Sequence, residues 1–261
     1  MTGHPEARAK RASKGRVEYL LRLGDNALVL AQRSAAWVAH APVMEEDVAL
    51  ANVALDLFGQ AKLWLEYAGK LENGGRDADA LAFHRDSGEF RNLLLVERPN
   101  GNFADTIVRG YFYDAWANLA LHVLARSSDE HVAAIAAKSA KETAYHLHRS
   151  EDWLIRLGDG TELSHDRAQH AVDELWRFTG EMFLGDDVDA EMTSAGIGFD
   201  PASLREAWLE RIGIAFANAA LAQPADDWMQ RGGKQGHHSE TLSYLLAEMQ
   251  VLPRTHVGAQ W

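Results

Sequence analysis

The segment from residue 43 to residue 72 is predicted to be a helix whose apolar residues cover well over half of its circumference. A helix on the surface of a monomer needs only an apolar stripe. A helix of this kind must therefore lie at the centre of a helical structure, or bury a second face against a partner. Its apolar runs are interrupted by Asn52, Asp56 and Lys62, so we do not expect it to span a membrane.

The spacing of apolar residues is helical along most of the chain, and strand signals are almost absent. The most β-like run, residues 93–96, is only four residues long and is followed by a turn sequence, Arg98-Pro99-Asn100-Gly101. The spacing predicts helices over residues 17–40, 43–72, 103–126, 129–157, 166–183, 201–220 and 239–250. No linker is long enough to mark a domain boundary. The sequence therefore predicts one all-α domain over residues 16–261, preceded by a disordered basic tail over residues 1–15.

Charge and composition exclude several classes of protein. A formal net charge of −12 argues against a nucleic-acid binder, because the folded region lacks the basic excess that phosphate contacts require. The absence of cysteine excludes disulfides, thiolate nucleophiles and cysteine-ligated zinc or iron–sulfur sites. The residues after Met1 are polar and basic with no apolar signal segment, so we expect a cytoplasmic location.

Each of the four long predicted helices carries a carboxylate near its middle. These acids are Asp25, Asp56, Asp114 and Glu142. In one interpretation they converge inside a bundle together with His146 and bind two metal ions. In the other, each acid has a structural role; Asp25, for example, follows Arg22 by three residues and can form a surface ion pair with it.

The spacing after Glu142 argues against the metal-binding interpretation. Carboxylate-bridged di-iron sites in helix bundles take a Glu-x-x-His motif from each of two helices. Here the third residue after Glu142 is Tyr145, and His146 is rotated by about a further 100° around the helix. In the second helix, Gly59 and Gln60 occupy the places where histidine is needed. A site with one histidine and mostly aspartates holds Fe(II) poorly, so we expect no metal site in this chain.

A glycine-rich loop over residues 232–240 contains Lys234, His237 and His238. Its three glycines permit a close approach of backbones, and its cationic side chains can meet carboxylates of another protein. The simpler interpretation is a flexible connection between helices. We predict that these three side chains dock against a partner. Two adjacent histidines without a third ligand do not form a metal site.

Several segments resemble one protein family. They are Arg22-Leu23-Gly24-Asp25-Asn26, residues 47–61 (DVALANVALDLFGQA), residues 92–106 (NLLLVERPNGNFADT), Leu175-Trp176-Arg177-Phe178-Thr179 and the glycine-rich loop. Together they closely resemble the C-subunit family of the ring 1,2-phenylacetyl-CoA epoxidases. The similarity extends over about residues 17–261, which is nearly the whole chain.

The resemblance implies a ferritin-like four-helix bundle with additional C-terminal helices. It also implies a place in a bacterial multicomponent oxygenase of aerobic phenylacetate catabolism. In that complex, the catalytic A subunit holds the di-iron centre and epoxidises the aromatic ring, and a reductase subunit delivers electrons from NADPH. The C subunit pairs with this catalytic subunit and has no catalytic residue or cofactor of its own. The alternative is that this chain is itself a metal-dependent oxygenase, with a di-metal site formed by Asp25, Asp56, Asp114, Glu142 and His146.

Overall fold

The structure, a computed structural model, describes residues 5–72 and 74–259, with side chains from Lys14 onward. Within these residues it contains nine α-helices and no β-strand. The helices are α1 (Pro5–Ala35), α2 (Met44–Glu72), α3 (Ala78–Phe83), α4 (Phe103–Leu124), α5 (Glu130–Gly158), α6 (Glu162–Trp176), α7 (Asp187–Ser194), α8 (Arg205–Asn218) and α9 (Glu240–Thr255). Four short 3-10 helices lie in the connections between them. The prediction of an all-α fold is confirmed.

The four long helices form a ferritin-like bundle made of two helical hairpins. Helix α1 packs along α2, α4 packs along α5, and the two hairpins meet where α2 contacts α5. One continuous apolar core runs through all four helices and includes the fully buried side chains of Leu20, Trp64, Tyr111 and Leu154. The shorter helices surround this bundle, with α6 and α8 against α4 and α5, α7 against α1, and α3 against α2.

Capping side chains determine where the helices of the second hairpin begin. Asn102 accepts a hydrogen bond from the amide of Ala104 (2.8 Å), and Asp105 accepts one from the amide of Asn102 (2.8 Å). This reciprocal arrangement satisfies two amides that a helix start leaves unpaired. Asp129 caps α5 through the amide of His131 (3.0 Å). Because these signals are local, both helices begin within one residue of their predicted starts.

Other boundaries differ from the predictions. Helix α1 begins at Pro5, because residues 6–12 are good helix formers and proline is favourable in the first helical turn. The predicted tail is therefore helical from Pro5 onward, and the predicted domain boundary at residue 16 falls inside α1. Residues 1–4 of the tail lie outside the described residues. Apolar periodicity does not predict α3 and α7, since they are only six and eight residues long.

The apolar helix α2 is only partly inside the bundle. Leu57 and Trp64 are buried, whereas Met44, Val48 and Leu55 are 77%, 58% and 67% exposed. By length and composition α2 could cross a membrane, but the core helices of soluble proteins pass the same test. Its apolar surface is therefore divided between an inner face in the bundle core and an outer face at the surface.

Candidate functional site

Polar side chains of α2 and α5 meet across the contact between the two hairpins. The Nε2 atom of His146 lies 3.0 Å from Oδ2 of Asp56. One helical turn further along, Gln60 donates a hydrogen bond of 3.0 Å to Oε2 of Glu142. Residues 56 and 60 thus face residues 146 and 142 in reverse order, so α2 and α5 run antiparallel here. The two candidate metal ligands on α5, Glu142 and His146, therefore contact side chains of α2.

Asp114 of α4 lies next to these contacts in the bundle interior. It accepts a hydrogen bond from the hydroxyl of Ser150 (2.9 Å). Burial raises the pKa of its carboxyl to about 6, although His146, the Ser150 hydroxyl and Arg149 act in the opposite direction. Arg149 itself forms an ion pair with Glu46 of α2. The bundle interior therefore holds an acid that loses its proton at a higher pH than an exposed aspartate does.

Asp25 lies apart from this group of side chains. Its carboxylate is fully buried and accepts hydrogen bonds from both terminal nitrogens of Arg85 and from the amide of Arg91 (2.8 Å). The prediction of a surface ion pair between Asp25 and Arg22 is wrong, because Arg22 pairs with two aspartates at the start of α7. The reason is that packing places residues 85–91 over α1, which local spacing does not reveal.

The geometry of these side chains does not fit a di-metal centre. Glu142 is bound by Lys138 (2.5 Å) in addition to Gln60, and Asp56 already contacts one imidazole nitrogen of His146. The other imidazole nitrogen of His146 is buried and has no hydrogen-bond partner in the described part of the chain. Among residues 5–72 and 74–259, no group of three or more histidine, aspartate and glutamate side chains is arranged to hold a metal ion. Side chains that include a single histidine and are bound in separate pairs do not supply the ligand set of a stable di-metal site.

The glycine-rich loop is fastened to the body of the chain. Lys234 donates a hydrogen bond of 2.8 Å to Asp189, and its side chain is 10% exposed. The buried carboxylate of Glu181 accepts a hydrogen bond of 2.8 Å from the amide of Gly232, whose φ of 136° suits glycine alone. A side chain at Gly233 would clash with a backbone carbonyl of the adjoining segment. The glycines therefore serve close packing within this chain.

His238 is enclosed by two acceptors of the same chain. Its Nδ1 lies 2.7 Å from the buried carboxylate of Glu97, and its Nε2 lies 3.0 Å from the carbonyl of Phe90. A carbonyl only accepts, and Glu97 also accepts from the amide of Ser239 (2.8 Å), so this arrangement favours the imidazolium. Burial by itself lowers the pKa of His238, but the bonds to Glu97 and Phe90 raise it above its ordinary value. This stabilisation is complete below about pH 6.5 and is lost as the pH rises through the raised pKa.

The prediction that this loop exposes its cationic side chains is therefore wrong for Lys234 and His238. Both side chains are paired with carboxylates inside the chain. His237 is exposed, and contact between the outer surface of the loop and a partner stays a prediction. The acids that bind the loop come from distant segments, so the loop sequence does not reveal them.

Comparison with known proteins agrees with this architecture. The family model described as phenylacetic acid catabolic protein matches residues 1–261. The chain belongs to this family. The C subunit of 1,2-phenylacetyl-CoA epoxidase from Escherichia coli (strain K12) is 51% identical over 243 residues, which cover 93% of this chain and 98% of that protein. The resemblance predicted from five short segments is thus confirmed over nearly the whole length.

This member of the family exposes an apolar surface beside the polar contacts of α2 and α5. We call it the α2 face, and it consists of Val43, Met44, Val48 and Leu55 with Tyr145 of α5. Met44, Val48 and Leu55 are spaced by four and seven residues and so lie on one side of α2. Leu55 and Tyr145 each precede a member of the Asp56–His146 contact. Single exposed apolar residues are ordinary, but three on one side of the same helix form an exposed apolar row.

Proposed function

We propose that this chain is a non-catalytic, structural subunit of a phenylacetyl-CoA 1,2-epoxidase complex and acts in phenylacetate catabolism. The relative from E. coli is named as a subunit, which supports a role within an assembly. The observation that carries the proposal is the pairing of Asp56 with His146 and of Glu142 with Gln60, where the bundle would otherwise offer metal ligands. The epoxidation belongs in this proposal to the catalytic A subunit, which holds the di-iron centre, with electrons from NADPH supplied by a reductase subunit.

A subunit without chemistry of its own can still determine the rate of reaction. A displacement of about 1 Å at a catalytic group can cost on the order of 100-fold in rate. The rigid bundle described above, with its continuous core and its internal ion pairs, is suited to hold the helices of a neighbour in place. We assign this contact to the α2 face, because burial of Met44, Val48 and Leu55 removes the largest apolar surface of α2 from water.

The change Leu55→Asp should weaken the complex with the catalytic subunit by at least about 30-fold in affinity, because it places a charge within the proposed apolar contact. The side chain of Leu55 is 67% exposed in the isolated chain, so the fold itself should remain stable. Co-purification with the catalytic subunit tests assembly, and a titration of the two purified proteins measures the affinity.

Leu163→Asp is the matched control, because Leu163 of α6 is 60% exposed and lies outside the α2 face. It introduces the same charge and should leave the affinity unchanged. Wild-type affinity in the Leu55→Asp variant would show that the α2 face is not the contact. Equal weakening by both substitutions would show that added negative charge, and not the apolar face, governs assembly.

A second candidate function is a metal-dependent oxygenase. It is favoured by the closeness of Asp56, Glu142 and Asp114 to His146, whose Nδ1 has no hydrogen-bond partner within the described residues. Metal analysis of the purified chain, alone and with the co-expressed catalytic subunit, separates the two candidates. We expect well below one iron per chain for the chain alone, after purification under reducing and iron-replete conditions. Tight binding of two irons per isolated chain would contradict the structural role.

A further inference from the structure

Gly59 lies near the middle of α2, beside the α2 face. A glycine inside a helix is less favourable than alanine, because its backbone loses more freedom on folding. A Cβ atom added at Gly59 would meet no atom within 4 Å, and the residue has the negative φ of an ordinary helix. Neither packing nor backbone conformation within the described part of the chain therefore requires a glycine at this position.

Three other glycines of the long helices show the contrast. A Cβ atom at Gly24 of α1 would lie 2.8 Å from a side-chain carbon of Leu65, which is too close. At Gly69 and Gly158 it would clash with a backbone carbonyl of a neighbouring segment. Each of these glycines lets another part of the chain approach a helix closely. Gly59 offers the same open backbone, but no segment among the described residues fills the space.

Gly59 extends the exposed row formed by Met44, Val48 and Leu55. The four residues are spaced by four, seven and four positions, so they lie within about 60° of one another around α2. The row from residue 44 to residue 59 is about 22 Å long. A straight row of this kind fits the side of another α-helix, and the distance between packed helices depends on the side chains at their contact. A glycine in the row permits the closest approach.

Asp56 brings a negative charge to the same surface. It follows Leu55 by about 100° around α2, in the direction of α5, where it contacts His146. Its side chain is 38% exposed, and its Oδ1 has no hydrogen-bond partner elsewhere in the described chain. The carboxylate lies in the groove between α2 and α5, so a partner that covers both Leu55 and Tyr145 also covers it. A carboxylate removed from water requires a new donor, and a cation is the strongest one.

We propose that a helix of the catalytic subunit lies along the α2 face, approaches the α2 backbone most closely at Gly59 and places a lysine or arginine side chain against Asp56. The identity of the partner rests on the proposed function. The contact adds the chemistry of the partner surface, which is a helix with an apolar row and a basic side chain beside it.

Gly59→Ala separates this contact from the stability of the chain. Alanine fills open space and has a higher helix propensity, so the isolated chain should gain about 2–4 °C in Tm. In the complex the added methyl group lies between two closely packed backbones. The affinity for the catalytic subunit should therefore fall by about 10-fold or more, although the chain itself is more stable.

Gly213→Ala in α8 is the matched control. An added Cβ there also meets nothing within 4 Å, but the exposed residues Glu206 and Glu210 make that side of α8 charged and not apolar. The substitution should give the same gain in Tm, for the same reason of helix propensity, and leave the affinity unchanged.

Asp56→Asn tests the basic side chain of the partner. It removes the charge and keeps an oxygen for His146, so it should weaken the complex by about 10-fold or more and make the affinity less dependent on salt. Asp166→Asn removes an exposed carboxylate of α6, outside the α2 face, and should change neither quantity.

The titration used for Leu55→Asp measures all of these variants. Wild-type affinity in Gly59→Ala or in Asp56→Asn, together with a loss in Leu55→Asp, would overturn the inference and leave the α2 face as the contact. A wild-type chain that does not bind the catalytic subunit would overturn the proposed function as well. A dimer of the isolated chain that Gly59→Ala dissociates would assign the row to a second copy of this chain, which also contradicts the proposal.

Discussion

Replacing Arg85 with methionine should lower the free energy of unfolding by about 3–5 kcal/mol, because the buried carboxylate of Asp25 then loses its counterion. The side chains of Arg85 and Asp25 are 2% and 0% exposed, so water cannot take the place of the guanidinium. One guanidinium nitrogen lies 3.0 Å from Oδ2 of Asp25, and the group also stacks on the ring of Phe90 at 4.3 Å. Chemical denaturation measures the loss through the transition midpoint and slope.

Two further variants define the origin of this loss. Lys70→Met removes an exposed ion pair with Glu66 on α2 and should cost no more than about 0.5 kcal/mol. Adding Asp25→Asn to Arg85→Met should recover part of the loss, since a neutral amide needs no counterion and still accepts from the backbone amide of Arg91. If Arg85→Met costs no more than Lys70→Met, the buried pair does not anchor α1 to residues 85–91.

The long helices could be predicted from the sequence because their signals are local. Apolar spacing repeats over many turns in α2, α4 and α5, and the caps Asn102 and Asp129 mark two of the starts. Short elements do not contain enough turns for a pattern of apolar spacing to repeat. The run of residues 93–96 is strand-like in composition, yet it forms buried turns, because Asn26 and Glu181 accept its amide hydrogens in place of a neighbouring strand.

The candidate site was predictable only in part, for a physical reason. Asp56, Asp114 and Glu142 lie near the middles of long helices, and helices of similar length in a bundle bring their middles to one level. Their closeness to His146 therefore follows from the sequence. The position of Asp25 cannot be predicted from the sequence. Its partner Arg85 lies in the connection between α3 and α4, which has no periodic pattern.

The glycine-rich loop shows that the sequence also does not reveal which cationic side chains are buried. Three cationic side chains in a flexible sequence predict an exposed surface, since charged residues are mostly outside. Lys234 and His238 are buried because the acids Asp189 and Glu97 neutralise them across long sequence separations. A buried charge is tolerated when it is paired, and the pairing partner is a property of the tertiary structure.

The change Asp114→Asn should stabilise the protein at neutral pH. Burial raises the pKa of the Asp114 carboxyl from 3.8 to about 6. A carboxyl with a raised pKa contributes its full stability only below the unfolded value near pH 4, and this contribution is lost as the pH rises through about 6. Asparagine does not ionise and keeps an oxygen that accepts from Ser150. The gain of the variant over the wild type should therefore grow between about pH 4 and pH 6 and reach up to about 3 kcal/mol above pH 7.

Chemical denaturation of both proteins at about pH 4.5 and pH 7.5 measures this gain. Asp152→Asn on α5 is the control, because it removes an exposed carboxylate close to the same part of the bundle. A gain that is equal at the two pH values, or equally large in Asp152→Asn, would show that burial of the Asp114 carboxyl is not its cause. Asp114 does not belong to the α2 face, so in the proposed complex its substitution should leave the affinity for the catalytic subunit unchanged, whereas Leu55→Asp should weaken it. The acid in the bundle core and the apolar surface of α2 would then have separate roles, one in the stability of the fold and one in assembly.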